Sequence, residues 1–209
     1  DLPGSIYDDS GVFGAADRDA LLASLGFDLQ PGWAPQWPEL HAGLASLRYN
    51  RIEALSVGAS ATSEFGLGYT AEASARVGTG DRVPNVALSL TRSNGRDDIR
   101  VAAYRRLAVS NDTWGAPLSF GASLANALYA HDEGFYYRAL GAEVGGSRAA
   151  PGFLTGATLD WRAFAERERS AGVAPNTQTS LGNLFGSARF VDNIEAAPLT
   201  AVGAGAHVR

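Results

Sequence analysis

Between Glu64 and Val77 the chain alternates apolar and polar or small residues for fourteen positions without a break. Phe65, Leu67, Tyr69, Ala71, Ala73, Ala75 and Val77 fall on one face, and Glu64, Gly66, Gly68, Thr70, Glu72, Ser74 and Arg76 on the other. A helix would scatter both sets around its circumference, whereas a strand sorts them by face. The same period recurs downstream. Val86, Leu88 and Leu90 alternate with Ala87, Ser89 and Thr91; Ile99, Val101 and Ala103 with Arg100, Ala102 and Tyr104; Ala157, Leu159, Trp161 and Ala163 with Thr158, Asp160 and Arg162. Leu118 to Leu124 and Tyr136 to Val144 follow the same rule.

Turn signals such as Gly78-Thr79-Gly80-Asp81, Ser93-Asn94-Gly95, Ser110-Asn111-Asp112, His131-Asp132-Glu133-Gly134 and Ala150-Pro151-Gly152 separate these runs. They predict strands at 49–61, 64–77, 84–92, 98–109, 118–129, 135–146, 153–166, 181–191 and 199–208. Leu181, Leu184 and Phe185 in the eighth run also suit a helix. Short links between consecutive strands imply an antiparallel meander. Residues 1–43 read as a leader. Asp17 is a helix N-cap candidate before Leu21, Leu22 and Leu25, and the Pro/Trp-rich stretch Gln30–Pro38 can be neither a helix interior nor a central strand. Leu40, Leu44 and Leu47 are spaced for a short second helix. Residues 44–209 carry the strands.

Strand length chooses among β architectures. Sandwich strands are short, with turns every 8–12 residues, whereas these runs approach the ~9–11 residues of a tilted membrane-crossing strand. The non-apolar face holds Gly, Ser, Thr and charges of both signs, namely Glu72, Arg76, Arg100, Glu143, Asp160 and Arg162, which suits a crowded barrel lumen. Charges of opposite sign there would pair and stiffen the wall instead of forming a one-sign filter. Tyr49, Tyr69, Tyr104, Trp114, Tyr129, Phe135, Tyr136, Tyr137 and Trp161 lie near strand ends, as an interfacial girdle requires. Two features favour a soluble β-barrel or sandwich instead: an apolar face rich in Ala, and loops that do not alternate clearly between short and long. The fold class expected is all-β, an up-and-down transmembrane β-barrel, partial, behind a short irregular leader.

Composition narrows the function. The 209 residues contain no Cys, which removes disulfides, thiolate catalysis and cysteine-ligated metal. A net charge of -5 argues against a nucleic-acid partner. No apolar run reaches the ~18 residues of a spanning helix, and no N-terminal stretch reads as a signal peptide. There is no Met, so Asp1 is expected to follow a processing event or a cut in the gene. The odd strand count and the lack of a terminal aromatic after Val208-Arg209 suggest an incomplete barrel.

The stretch Leu47-Arg48-Tyr49-Asn50-Arg51-Ile52-Glu53-Ala54-Leu55-Ser56-Val57-Gly58 resembles a segment of the bacterial surface-antigen and BamA/TamA-like outer-membrane barrels, where the pattern reads Tyr-Asn-Arg-Val-Glu-Gly-Leu. Tyr49, Asn50, Arg51 and Glu53 match it, while Ile52 and Ala54 replace Val and Gly. The Val-Arg-Gly-Phe/Tyr element of those proteins is missing. The resemblance implies a Gram-negative outer-membrane location, lipid around the barrel, an unfolded polypeptide client, and insertion or translocation without enzymatic chemistry. A passive or structural pore is the alternative. Read from the residues alone, Arg51 and Glu53 share one strand face and Arg48 and Asn50 the other, at a strand end that is solvated or sets register with a neighbour.

Other chemistry is sparse. His41, His131 and His207 lack zinc-site spacing, so neither metal nor cofactor is expected. His131-Asp132-Glu133 reads as a polar hairpin tip rather than a rim hydrolase site. Gly203–Val208 begins like a dinucleotide loop but reads as a Gly-rich strand. Asn111-Asp112-Thr113 is a formal sequon, and Glu166-Arg167-Glu168-Arg169 a solvated, sign-alternating strand end.

Overall fold

The computed structural model describes residues 32–111, 116–149, 157–172, 180–182, 190–195 and 197–209. Nine strands form one antiparallel sheet: β1 Glu39–His41, β2 Leu47–Asn50, β3 Ala54–Gly66, β4 Tyr69–Gly78, β5 Asn85–Ser93, β6 Asp98–Val109, β7 Tyr136–Ala149, β8 Thr158–Ser170 and β9 Leu199–Val208. From β3 to β9 each strand pairs with the next, while β1 and β2 both pair with β3. The sheet is a meander, and hydrogen bonds do not close it into a barrel. Its edges are β9 and the β1–β2 side.

Several sequence expectations change, among them the single strand expected at 49–61, which is β2 and the start of β3 separated by residues 51–53. The fourteen-residue run is not one strand: Leu67-Gly68 is a two-residue turn with both residues at positive φ (51° and 75°), the geometry of a type I′ hairpin. The register slips by one between Glu64 and Gly66, and this bulge keeps the two faces in phase through the turn. Without the slip the alternation would have inverted at the hairpin.

The run 118–129 is not a strand either. It contains a helix, α1, Phe120–Tyr129, capped by the Ser119 hydroxyl accepting from the Ala122 amide and ended by Ala130 at φ 56°. Phe120, Leu124 and Leu128 are four apart, so a helical period was present beneath the alternating one. Leu40, Leu44 and Leu47 do not form a helix; they lie on β1, a 3-10 turn (Leu44–Ser46) and β2. The connector's amides at Ala34 and Gln36 donate to the carbonyls of Phe65 and Glu64, so this Pro-containing stretch runs along the sheet's edge. Of the run 181–191, Leu181 and Gly182 are helical and 183–189 lie outside the described residues, as do the 17–26 helix, Trp114 and part of the sequon.

With the strands placed, the connections do alternate. At one end they are 67–68, 94–97 and 150–157; at the other 51–53, 79–84, 110–135 and 171–198. Reading 118–129 as a strand divides the 110–135 connection and hides the pattern.

The registers sort the side chains into two faces. Leu55, Val57, Val77, Val86, Leu88, Leu90, Ile99, Val101, Leu140, Val202 and Val208 share one face and are 41–79 % exposed. The opposite face holds Ser56, Ala102, Tyr104, Ala139 and Glu166, all buried. A sheet folded for water does the reverse. Half exposing each of those eleven side chains forgoes about 1 kcal/mol, so the apolar face forgoes about 10 kcal/mol in water, the stability of a whole domain.

Candidate functional site

The inner, polar face carries every carboxylate of the sheet: Glu39, Glu64, Glu72, Asp98, Glu143, Asp160, Glu166 and Glu168. All six charged residues expected to face a lumen lie on it. Three of them meet. Arg162 donates to Glu143 Oε2 through Nε at 3.0 Å and Nη2 at 2.7 Å, and Arg100 Nη1 reaches Oε1 at 3.4 Å. Asp160 pairs instead with Arg209, at 2.6 Å. Arg76 donates to the Ser46 carbonyl (2.7 Å) and Ser56 Oγ (3.2 Å). Glu72 sits in the cross-strand row that runs through Ser89 and Ala102 to Glu143.

Beside the Glu143 cluster lies a cavity of about 850 Å³ lined by Arg106, Tyr137, Glu143, Arg162, Phe164, Glu166 and Glu168. The Tyr104 hydroxyl donates to Glu166 at 2.7 Å, and the Arg106 guanidinium stacks 4.0 Å over the Tyr104 ring. Glu166 is therefore buried at 7 %, which corrects the expectation of a solvated Glu166–Arg169 end. Only its arginine half is exposed: Arg167 and Arg169 point the other way.

The aromatic girdle is correspondingly smaller than expected. Tyr69 and Trp161 share the outer row that runs through Arg92, Ile99 and Gly146. Trp33 stacks on Phe65 at 5.5 Å near the same rim. Tyr104 and Tyr137 face inward, and Tyr136 is buried at 2 %.

The family-like stretch corrects the sequence reading most. Arg51-Ile52-Glu53 is the turn between β2 and β3, with Asn50 opposite Ala54, so Arg51 and Glu53 do not share a strand face. Asn50 Oδ1 accepts from the amides of Ile52 (3.0 Å) and Glu53 (2.8 Å), an Asx-type turn, and Ala54 closes it at φ 54°. Nor is this end solvated. Asn50, Arg51, Ile52 and Glu53 are 0–2 % exposed, among the most buried side chains described. Tyr49 is not part of this buried set: it stands on the outer side of β2, its ring 6.2 Å from that of Phe190.

Arg51 ties the turn to the approach of β7. Its Nη1 donates to the Asp132 carbonyl at 2.8 Å and Nη2 to the Gly134 carbonyl at 2.5 Å, while its amide donates to Asp132 Oδ2 at 2.9 Å. Asp132 Oδ1 accepts from the Gly134 amide (3.0 Å) and the Tyr136 hydroxyl (2.7 Å). Glu53 accepts from Asn50 (2.8 Å), Ser56 (3.2 Å) and Asn85 (2.5 Å). Ile52 packs with Leu107, Tyr136 and Ala171, across the ends of β6, β7 and β8. A turn at the start of the meander thus fastens strands three to five places along it, and the sheet curls to let it.

Asp132, Tyr136, Asn126, Asn193 and Asn85 complete this network; the sequence marks Asp132 only as part of a polar tip and Tyr136 only as a girdle aromatic, and does not single out the three asparagines. Asn126 donates to the Tyr49 carbonyl at 3.1 Å; Asn193 donates to the carbonyls of Tyr136 and Ala171 at 2.7 and 2.8 Å. Apart from the bonds within 132–136, their partners lie 22 to 142 residues away, where no local spacing signals them. The reading of 131–134 as a polar hairpin tip holds for His131 and Glu133, exposed and 3.1 Å apart, but Asp132 is buried and follows a helix, not a strand.

Among the described residues no group of three or more His, Cys, Asp or Glu is placed to hold a metal. The chemistry available to this surface is electrostatic. It offers paired charges of both signs on one face of the sheet and apolar side chains on the other. Comparison of the chain with protein-family models, curated sequences and solved structures finds no match.

Proposed function

We propose that this chain forms part of the wall of an outer-membrane β-barrel that inserts or translocates polypeptide without enzymatic chemistry. One observation carries the membrane reading: the sheet exposes Leu, Ile and Val on one face and buries Ser, Tyr and Glu on the other, the distribution of a sheet whose outer solvent is hydrocarbon. The alternation of short and long connections supports it, as do Tyr69 and Trp161 in one outer row, with Trp33 beside Tyr69, at the rim with the short turns. In such barrels the short turns are periplasmic and the longer loops extracellular. The polypeptide role rests on the resemblance of Tyr49–Gly58 to surface-antigen and BamA/TamA-like proteins. The neutralising pairs around Glu143 fit a stiffened wall better than the one-sign ring of a selective pore.

The test is fractionation of cells carrying the full-length protein. It is expected in the outer-membrane pellet, resistant to carbonate, released by detergent, and heat-modifiable in gel mobility. Depletion should lower the levels of other outer-membrane or surface proteins. Release into buffer without detergent would overturn the membrane reading; unchanged levels of every other envelope protein would leave a structural pore.

A further inference from the structure

We propose that the outer face binds one anionic membrane lipid, its phosphate on Arg105 and Arg167 and an acyl chain in the alanine-lined groove beside them. This rests on the membrane-barrel reading above. The charge on the two faces of the sheet is segregated. All carboxylates of the strands face inward, and every charged residue on the outer face is an arginine: Arg92, Arg105, Arg138, Arg148, Arg167 and Arg169. Arg138 is held by Asp81. Arg105, Arg167 and Arg169 are exposed and, among the described residues, have no ion-pair partner.

Arg105 and Arg167 flank Leu140 in a single cross-strand row, so two strand spacings, about 10 Å, separate their backbones. Long side chains bridge that distance to one phosphate. Arg169 lies one row further out. This row belongs to the end with the long connections, the outward-facing end in the proposed orientation.

Directly below, the outer face is hollowed. A shallow groove of about 630 Å³, almost wholly apolar, passes from Ala142 and Ala103 across Val101, Leu88 and Ala73 toward Pro38. Ala103 and Ala142 are adjacent in register, two residues inward from Arg105 and Leu140. Small side chains make the hollow; their neighbours Leu88 and Val101 stand at its walls. The groove runs straight across the strands along the register row Ala142, Ala103, Leu88 and Ala73, and since membrane strands tilt by about 45°, a chain lying in it is inclined by about the same angle to the bilayer normal. An unpaired cation row joined to an apolar channel is complementary to a phosphate with a hydrocarbon tail.

The experiment uses the full-length protein in neutral detergent and counts retained lipid by native mass spectrometry. The probes are dioleoyl phosphatidylglycerol, dioleoyl phosphatidylcholine, which has the same chains but no net charge, and inorganic phosphate. The native protein is expected to hold phosphatidylglycerol in preference. At roughly fivefold per interfacial arginine, R105Q/R167Q should weaken that binding about 30-fold and bring it near phosphatidylcholine. A103F fills the groove from the lipid side without touching the sheet's packing, and should weaken both lipids while keeping their ratio. R92Q/R148Q, at the opposite rim, should change neither. Equal retention of phosphatidylglycerol by R105Q/R167Q overturns the site alone. Displacement of the lipid by millimolar inorganic phosphate overturns it too, since the chains would then contribute nothing. A protein that needs no detergent and ignores both lipids overturns the site and the barrel reading together.

Discussion

Replacing Arg51 by Ala tests whether the buried turn fastens the sheet. The side chain is 2 % exposed, and its guanidinium donates charged hydrogen bonds to the Asp132 and Gly134 carbonyls at 2.8 and 2.5 Å and a longer one to Asn193 Oδ1 at 3.4 Å. Each such bond is worth about 1.5–3 kcal/mol, and stripping a buried charge network of one partner costs about 3–5 kcal/mol. Asp132 keeps its bonds from the Arg51 and Gly134 amides and the Tyr136 hydroxyl, so the carboxylate is not wholly orphaned. The expected loss is therefore about 4 kcal/mol. Arg51→Lys keeps the charge but presents a single ammonium to two carbonyls, and should lose about half as much. Arg105→Ala removes an equally long but exposed and unpaired side chain, and should stay within about 0.5 kcal/mol of the parent. Urea unfolding of the full-length protein in detergent, followed by tryptophan fluorescence, ranks the three variants. If Arg51→Ala unfolds with Arg105→Ala, the turn is not the fastening it is taken to be.

Two further outcomes follow from the geometry. Glu143→Gln leaves Arg100 and Arg162 without their shared carboxylate, so the reversal potential of the full-length protein in a planar bilayer should shift toward anion selectivity, while the parent is weakly selective; an unchanged potential would place these residues off the ion path. Gly66→Ala puts a methyl group into the Gly32 carbonyl at a residue with φ 79°, and should destabilise the β3–β4 hairpin by about 1–3 kcal/mol, read as faster proteolysis between Trp33 and Tyr69.

The strands that were legible are those whose ends coincide with strong turn signals. The expected 98–109 is β6 to the residue, and 84–92 differs from β5 by one at each end, because Gly, Asn and Pro bracket both. The hairpin inside Glu64–Val77 was hidden by the bulge at Phe65, which restores the period that a two-residue turn would have inverted. Helix α1 was hidden because Gly121 and Ser123 counted as the polar partners of an alternation that is also a four-residue repeat. The inward placement of Glu72, Arg76, Arg100, Glu143, Asp160 and Arg162 was readable, since parity alone assigns a face. Which of them meet was not, because pairing depends on register across strands. The buried turn was misread for a related reason. Arg and Glu are mostly exposed, and their burial at Arg51 and Glu53 depends on Asp132, Asn85 and Asn193, which only the curl of the sheet brings near.

The membrane reading puts hydrocarbon on the sheet's Leu/Val/Ala side and water on the other. This chain contains no cysteine, so single cysteines can be placed along β5 and β6 at Ala87, Leu88, Ser89, Leu90, Val101 and Ala102 and spin-labelled in the full-length protein reconstituted in vesicles. Collision rates with oxygen, which concentrates in the bilayer, and with a water-soluble nickel chelate then report the solvent at each site. The expected pattern has a period of two: Leu88, Leu90 and Val101 accessible to oxygen and shielded from the chelate, with Ala87, Ser89 and Ala102 showing no such preference. Ready access of the chelate to Leu88, Leu90 and Val101 would contradict it.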